Sequence, residues 1–155
     1  MIATSPRLLC GALLSSLALT GCAINQTIKP VEHLDGTQVC IVENLAVKPG
    51  FLATYKRVLA EKGYAVTQLP PSAPLTECPV TSTYTANWRW DLALYMAFAD
   101  IKVYKNGQLA GEATYDSLHG GANMSKFIKG DAKITELVNQ LFPGGAKRTG
   151  SAKAS

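Results

Sequence analysis

Few side chains in this 155-residue sequence could do chemistry. Four cysteines stand at positions 10, 22, 40 and 78, two histidines at 33 and 119, and the carboxylates Asp91, Asp100, Glu112 and Asp116 fall in one stretch. Neither His33 nor His119 has a serine or cysteine placed to make it a believable general base. Gly-x-Ser-x-Gly, His-Glu-x-x-His and phosphate-cradling glycine patterns are absent from the sequence. The four acids could in principle supply a pair for glycoside cleavage, but each reads as a strand end or an outward position. Cys40 and Cys78 have no second cysteine at metal-ligand spacing and no neighbouring histidine, so neither a zinc site nor a cofactor is expected.

Cys22 raises a different question, because it follows a small-residue run near the start of the chain. Arg7 is the sole charge before it, and "LLCGALLSSLAL" is an apolar run too short to span a bilayer as a mature helix. That is the pattern of a signal peptide over 1–21. Leu19-Thr20-Gly21-Cys22 then resembles the lipobox of bacterial lipoproteins: aliphatic, small, small, cysteine. The resemblance implies a diacylglycerol on the Cys22 thiol, cleavage between Gly21 and Cys22, and acylation of the new amino group. A thiol suits this step because its thiolate is the nucleophile. Two or three acyl chains would make the anchor effectively permanent. Residue 23 is Ala rather than the Asp that retains such proteins in the inner membrane, so the resemblance implies the outer membrane, facing the periplasm.

Once 1–21 are removed, the rest suffices for one compact domain. The net charge is +4, yet between Gln38 and Phe142 Lys and Arg outnumber Asp and Glu by only one. No basic face is left for nucleic acid. With Cys10 discarded and Cys22 lipidated, Cys40 and Cys78 remain as an even pair in an oxidising compartment, and a disulfide is expected.

Residues 22–37 read as a tether, able to hold the domain up to ~50 Å from the membrane at about 3.3 Å per residue. A single domain follows over 38–142, and 143–155 reads as a disordered basic tail. "QVCIVENL" suits a buried strand. In "KPGFLATYKRVLAEKGY", Phe51, Tyr55, Val58 and Leu59 form a helical stripe with Pro49 at its start and Gly63 at its stop. "YAVTQL" completes a strand, helix, strand unit that favours parallel neighbours. "VTSTYTANWRW" alternates as a half-buried strand. Two further strands meet at Asn106-Gly107, the dipeptide that best tolerates positive φ at both turn positions. The apolar phase of the first of these slips by one residue. Either a bulge near Ala99 or Asp100 or a strand apolar on both sides would account for it. A closing helix, with Asp131 as N-cap, carries Ile134, Leu137, Val138 and Leu141. These elements predict a two-layer α+β sandwich, a mainly antiparallel sheet of about five strands with two helices on one face.

Trp88 and Trp90, with Leu94, Met96 and Phe98, are expected under the helices rather than on a sugar-stacking platform. The opposite face would then present Thr81 to Arg89 beside Ala93, Ala97, Ala99 and Tyr95. Either a protein partner or a second copy docks there, with Arg89, Tyr95 and the loop bearing His119 as anchors, or a loop or the tether lies across it.

"TANWRWDLALYMAFADIKVYKNGQLAGEATYD" with "GGANMSKF" resembles a family of small outer-membrane lipoproteins of Gram-negative bacteria, sometimes called Sbal-type lipoproteins. The likeness runs from Val39 to Phe142 and supplies no active site. The element order also looks like the small α+β domains of the penicillin-binding protein activators and the amino-terminal domain of TolB, a fold-level analogy that transfers no function. The expected function is a lipid-anchored, non-enzymatic binding or adaptor module of the envelope, its partner an envelope protein or peptidoglycan. The alternative is a hydrolase of wall polymers or glycans.

Overall fold

The computed structural model describes residues 23–32, 34 and 36–146. The Leu19–Cys22 motif, His33 and residues 147–155 lie outside the described residues. One mixed sheet holds β1 (Asn25–Lys29), β2 (Gln38–Val42), β3 (Ala65–Leu69), β4 (Val80–Asp91), β5 (Ala93–Lys105) and β6 (Gln108–Asp116) in the order β1-β6-β5-β4-β2-β3. β2 runs parallel to β3 and β4, and the remaining pairs are antiparallel. Helices α1 (Pro49–Glu61) and α2 (Gly130–Leu141) pack side by side against one face. The fold is the expected α+β sandwich, with six strands rather than five.

The core follows from alternation. Val39, Ile41, Val80, Tyr84, Ile101, Val103 and Ala113 turn toward the helices and meet Phe51, Tyr55, Leu59, Leu137 and Leu141, all buried. Asn106 and Gly107 take φ of 51° and 79°, closing the β5–β6 hairpin as the dipeptide predicts. Asp131, expected as the N-cap of α2, instead lies in its first turn behind Lys129, where its charge still complements the helix dipole.

β1 corrects the tether reading of 22–37. All five of its residues pair with β6, from Asn25 opposite Asp116 to Lys29 opposite Glu112. Two of its residues face the helices, the apolar Ile28 and the polar Gln26: Gln26 Nε2 donates to Glu136 Oε1 at 2.9 Å, and Lys133 Nζ donates to Gln26 Oε1 at 3.2 Å. Partial burial works to raise the Glu136 carboxyl, but hydrogen bonds from Lys133, Gln26 and Gln140 outweigh it and hold the group below its ordinary value. The tail reading is corrected over 143–146, where the Ala146 amide donates to Lys62 O at 2.9 Å.

Gly111 lets the chain after β1 lie close. A Cβ there would stand 2.6 Å from Val31 Cγ2 and 3.0 Å from Lys29 O. Gly111→Ala should therefore cost about 1–3 kcal/mol in urea unfolding, as overpacking does. An unchanged midpoint would mean that Val31 swings aside freely.

The phase slip in β5 is a β-bulge, set two residues earlier than expected. Pairing passes from Asn87 opposite Phe98 to Trp88 opposite Met96, leaving Ala97 over. Met96 stays in the core, Ala99 turns inward beside it, and Phe98 is sent to the other face. The expected grouping of Phe98 with Met96, and of Ala99 with the outer alanines, is thereby overturned.

On the face away from the helices, Cys40 and Cys78 form the expected disulfide, with Cα atoms 6.2 Å apart. It ties the connection from β3 to β4 across the back of β2.

Candidate functional site

The register collects several elements at one end of the sheet. Asn25 of β1, Asp116 of β6, Phe98 of β5 and Asn87 of β4 lie in one row across the strands. Beyond that row only β4 and β5 continue, as a hairpin turning at Leu92, whose φ is 60°. The loop 117–129 starts at the same end and carries a short 3-10 turn, Met124–Phe127, capped by Asn123 Oδ1 accepting from the Ser125 amide at 3.0 Å.

Tyr95 sits directly opposite Arg89 on this hairpin. The chain's own loop covers it. Phe127 meets its ring edge-on with centroids 5.5 Å apart, and Lys126 Nζ lies 5.4 Å from the Tyr95 centroid and 5.2 Å from that of Phe127. Lys126 is itself buried, donating to Asp91 Oδ2 at 2.5 Å and to Gly121 O at 2.6 Å. Of the three marked anchors, Arg89 and His119 are exposed and Tyr95 is buried, so they do not form one open surface. The loop thus covers Tyr95, at one end of the face on which docking was expected.

The middle of that face is also unlike the bare alanine row expected. Lys102 Nζ lies 3.0 Å from Asp100 Oδ2 and 3.4 Å from Glu112 Oε1, and Thr114 Oγ1 donates to Asp100 Oδ1 at 2.9 Å. The Asp100 hydrogen bond and charge hold the Lys102 ammonium above its ordinary value. Asp116 Oδ1 accepts from the Leu118 amide at 2.8 Å. The four carboxylates considered for catalysis are thus each engaged, two of them on one lysine, and none faces another across a cleft. Among the described residues no three His, Cys, Asp or Glu side chains gather as a metal site.

What sequence reasoning missed is the hairpin tip. Trp88 is half-buried beneath the Lys48 ammonium, 5.3 Å from its ring centroid, with Gly130 at its indole edge. Trp90 and Leu94, opposite each other one step further out, have outrun the helix layer and are 75% and 54% exposed. Leu92 at the turn is 85% exposed, and Met124 on the neighbouring loop 70%. A signal was there in "WRWDLALYM", which is apolar at both strand phases around its centre. Leu at the turn hid it, because turns are looked for at Gly, Asn and Asp.

With that geometry in place, likeness to known proteins is limited to architecture. No protein-family model and no curated protein matches the chain. It is similar to PelC from Paraburkholderia phytofirmans, solved as a dodecamer, with a TM-score of 0.51 and 16% identity over 80% of this chain and 99% of that one. A single-substitution variant of that protein, also a dodecamer, aligns with a TM-score of 0.49 and 14% identity over 77% and 94%. At such identity the likeness is one of fold. Among the described residues no helix is long and apolar enough to cross a membrane.

Proposed function

We propose that this chain is a lipid-anchored, non-enzymatic binding module of the bacterial envelope, held through Cys22 on the periplasmic side of the outer membrane. The observation that supports the reading is how few residues separate Cys22 from the sheet. Ile24 already packs against the core and β1 begins at Asn25, so an acylated Cys22 would hold the domain against the bilayer with almost no slack. A rigid platform of that kind, stapled by a disulfide and presenting loops at its membrane end, suits binding. PelC, whose fold is alike, was solved as a dodecamer, which makes a second copy of this chain the first partner to test.

Labelling cells with a radioactive fatty acid should mark the wild-type chain and leave Cys22→Ala unmarked, with the variant retaining residues 1–21. A labelled variant, or a mature N-terminus at any residue other than Cys22, overturns the anchor. Crosslinking in intact envelopes, followed by mass measurement of the product, then reads the partner. Turnover of muropeptides by the purified chain would overturn the non-enzymatic part.

A further inference from the structure

We infer that the tip of the β4–β5 hairpin is a second, non-covalent foothold in the lipid bilayer, with Trp90, Leu92 and Leu94 entering its interface. The inference rests on the anchor proposed at Cys22, and it deepens that reading by naming the surface that meets the membrane.

The argument is one of reach. Taking the row of Asn25, Asp116, Phe98 and Asn87 as origin, Leu92 lies five residues further along β4, or roughly 17 Å at strand rise. Cys22 lies three residues before Asn25 in sequence, so its Cα can stand at most about 10 Å beyond the row, with the thiol one side-chain length further. Ile24, packed into the core, shortens that further. A lipid attached at Cys22 thus brings the membrane surface to a level that the hairpin tip has already passed. The overshoot matches the roughly 5–10 Å to which interfacial apolar segments sink.

The side chains at the tip have the chemistry for that place. Trp90 is amphipathic and suits the headgroup level, while Leu92 and Leu94 supply the apolar contact. Asp91, the acid within the tip, is held by the Lys126 ammonium. Lys48, Arg89 and Lys129 stand exposed around the hairpin base, where anionic headgroups would meet them. Of the six large apolar side chains left exposed among the described residues, Trp90, Leu92, Leu94 and Met124 share this end, whereas Leu109 lies by the turn at the far end and Leu45 in the loop between β2 and α1. A surface arranged to meet water alone has no reason for that segregation.

The two tryptophans make the test direct. The full processed chain, purified from membranes, is reconstituted into vesicles of phosphatidylethanolamine and phosphatidylglycerol, with and without bromine on the acyl chains. In Trp88→Phe, which reports Trp90 alone, emission should shift to shorter wavelength on reconstitution and be quenched in brominated vesicles. In Trp90→Phe the remaining Trp88 should show much weaker quenching. Equal emission from Trp90 in plain and brominated vesicles overturns the foothold, and so does its burial in a crosslinked second copy. The mass of the N-terminal peptide reports the anchor separately. A lipid on Cys22 with unquenched Trp90 sinks the foothold and spares the anchor. Quenched Trp90 in membrane-purified chain whose N-terminal peptide carries no lipid sinks the anchor and spares the foothold.

Discussion

Cys78→Ser will lower the thermal midpoint by roughly 10–20 °C, and reductant added to the wild-type chain will reproduce most of that fall. The two cysteines are 38 residues apart, and closing a loop of that length restrains the unfolded chain by about 4 kcal/mol in the chain-entropy account. The loss is concentrated in one connection. The 70–79 segment passes behind β2, and beside the disulfide it is fixed by Thr81 Oγ1 donating to Cys78 O at 3.2 Å and the Asn106 amide donating to Pro79 O at 2.9 Å. Protease cleavage within 70–79 should therefore appear in the variant before global unfolding. Cys40, fully buried, remains as a small apolar side chain and adds little to the cost. A midpoint within a few degrees of wild type would show that the backbone bonds alone hold the segment.

The second large effect lies at Tyr55. Its ring is fully buried between α1 and the sheet, edge-on to Tyr84 at 6.4 Å, and its hydroxyl is 2.8 Å from Ser82 Oγ. Ser82 Oγ donates to Lys102 O at 2.8 Å, which leaves it to accept the proton of Tyr55. Burial also pushes the phenol well above its ordinary value, the Ser82 bond pulling weakly the other way, so Tyr55 stays a neutral donor. Tyr55→Ala removes the ring together with the hydroxyl and leaves a cavity between α1 and the sheet, and should cost about 3–5 kcal/mol in denaturant unfolding. Tyr55→Phe keeps the ring and leaves Ser82 its bond to Lys102, so the cost should be near 1 kcal/mol. Similar losses in both variants would make the hydroxyl, and not the packing, the dominant contribution.

Elements whose residues agree locally with their surroundings were readable in advance. The stripe of α1, the alternation of β4 and the Asn106-Gly107 turn each carry their signal within a few residues, and the compartment argument was enough to pair Cys40 with Cys78. β1 had little such signal, because Gln26 takes one of its two helix-facing positions and leaves Ile28 alone to mark that face, and its partner strand is some ninety residues away in sequence. Pairing at that separation is decided by tertiary contacts. The bulge was legible as a phase slip but not its position, since Ala97 and Ala99 are alike in size and only the opposite strand decides which is left over. The covering of Tyr95 depended on Lys126 and Phe127, which sit in a stretch with no period to read. For the candidate site this meant that the marked side chains were real neighbours, Arg89 opposite Tyr95, while their accessibility was misjudged. The exposed tip became visible only when the length of β4 and β5 could be set against the end of the helix layer.

The pairing of Asn25 with Asp116 has a consequence for the order of events as the chain is made. A polypeptide delivered from its N-terminus presents β1 first and β6 last among the strands, so the opening strand has no partner until nearly the whole sheet has been delivered. β2, α1 and β3 can assemble meanwhile from contacts close in sequence, which form fastest. Among the strands, β1, the one beside residue 22, therefore waits longest for its partner. Under the lipidation proposed at Cys22, the modifying enzyme would have until then to act.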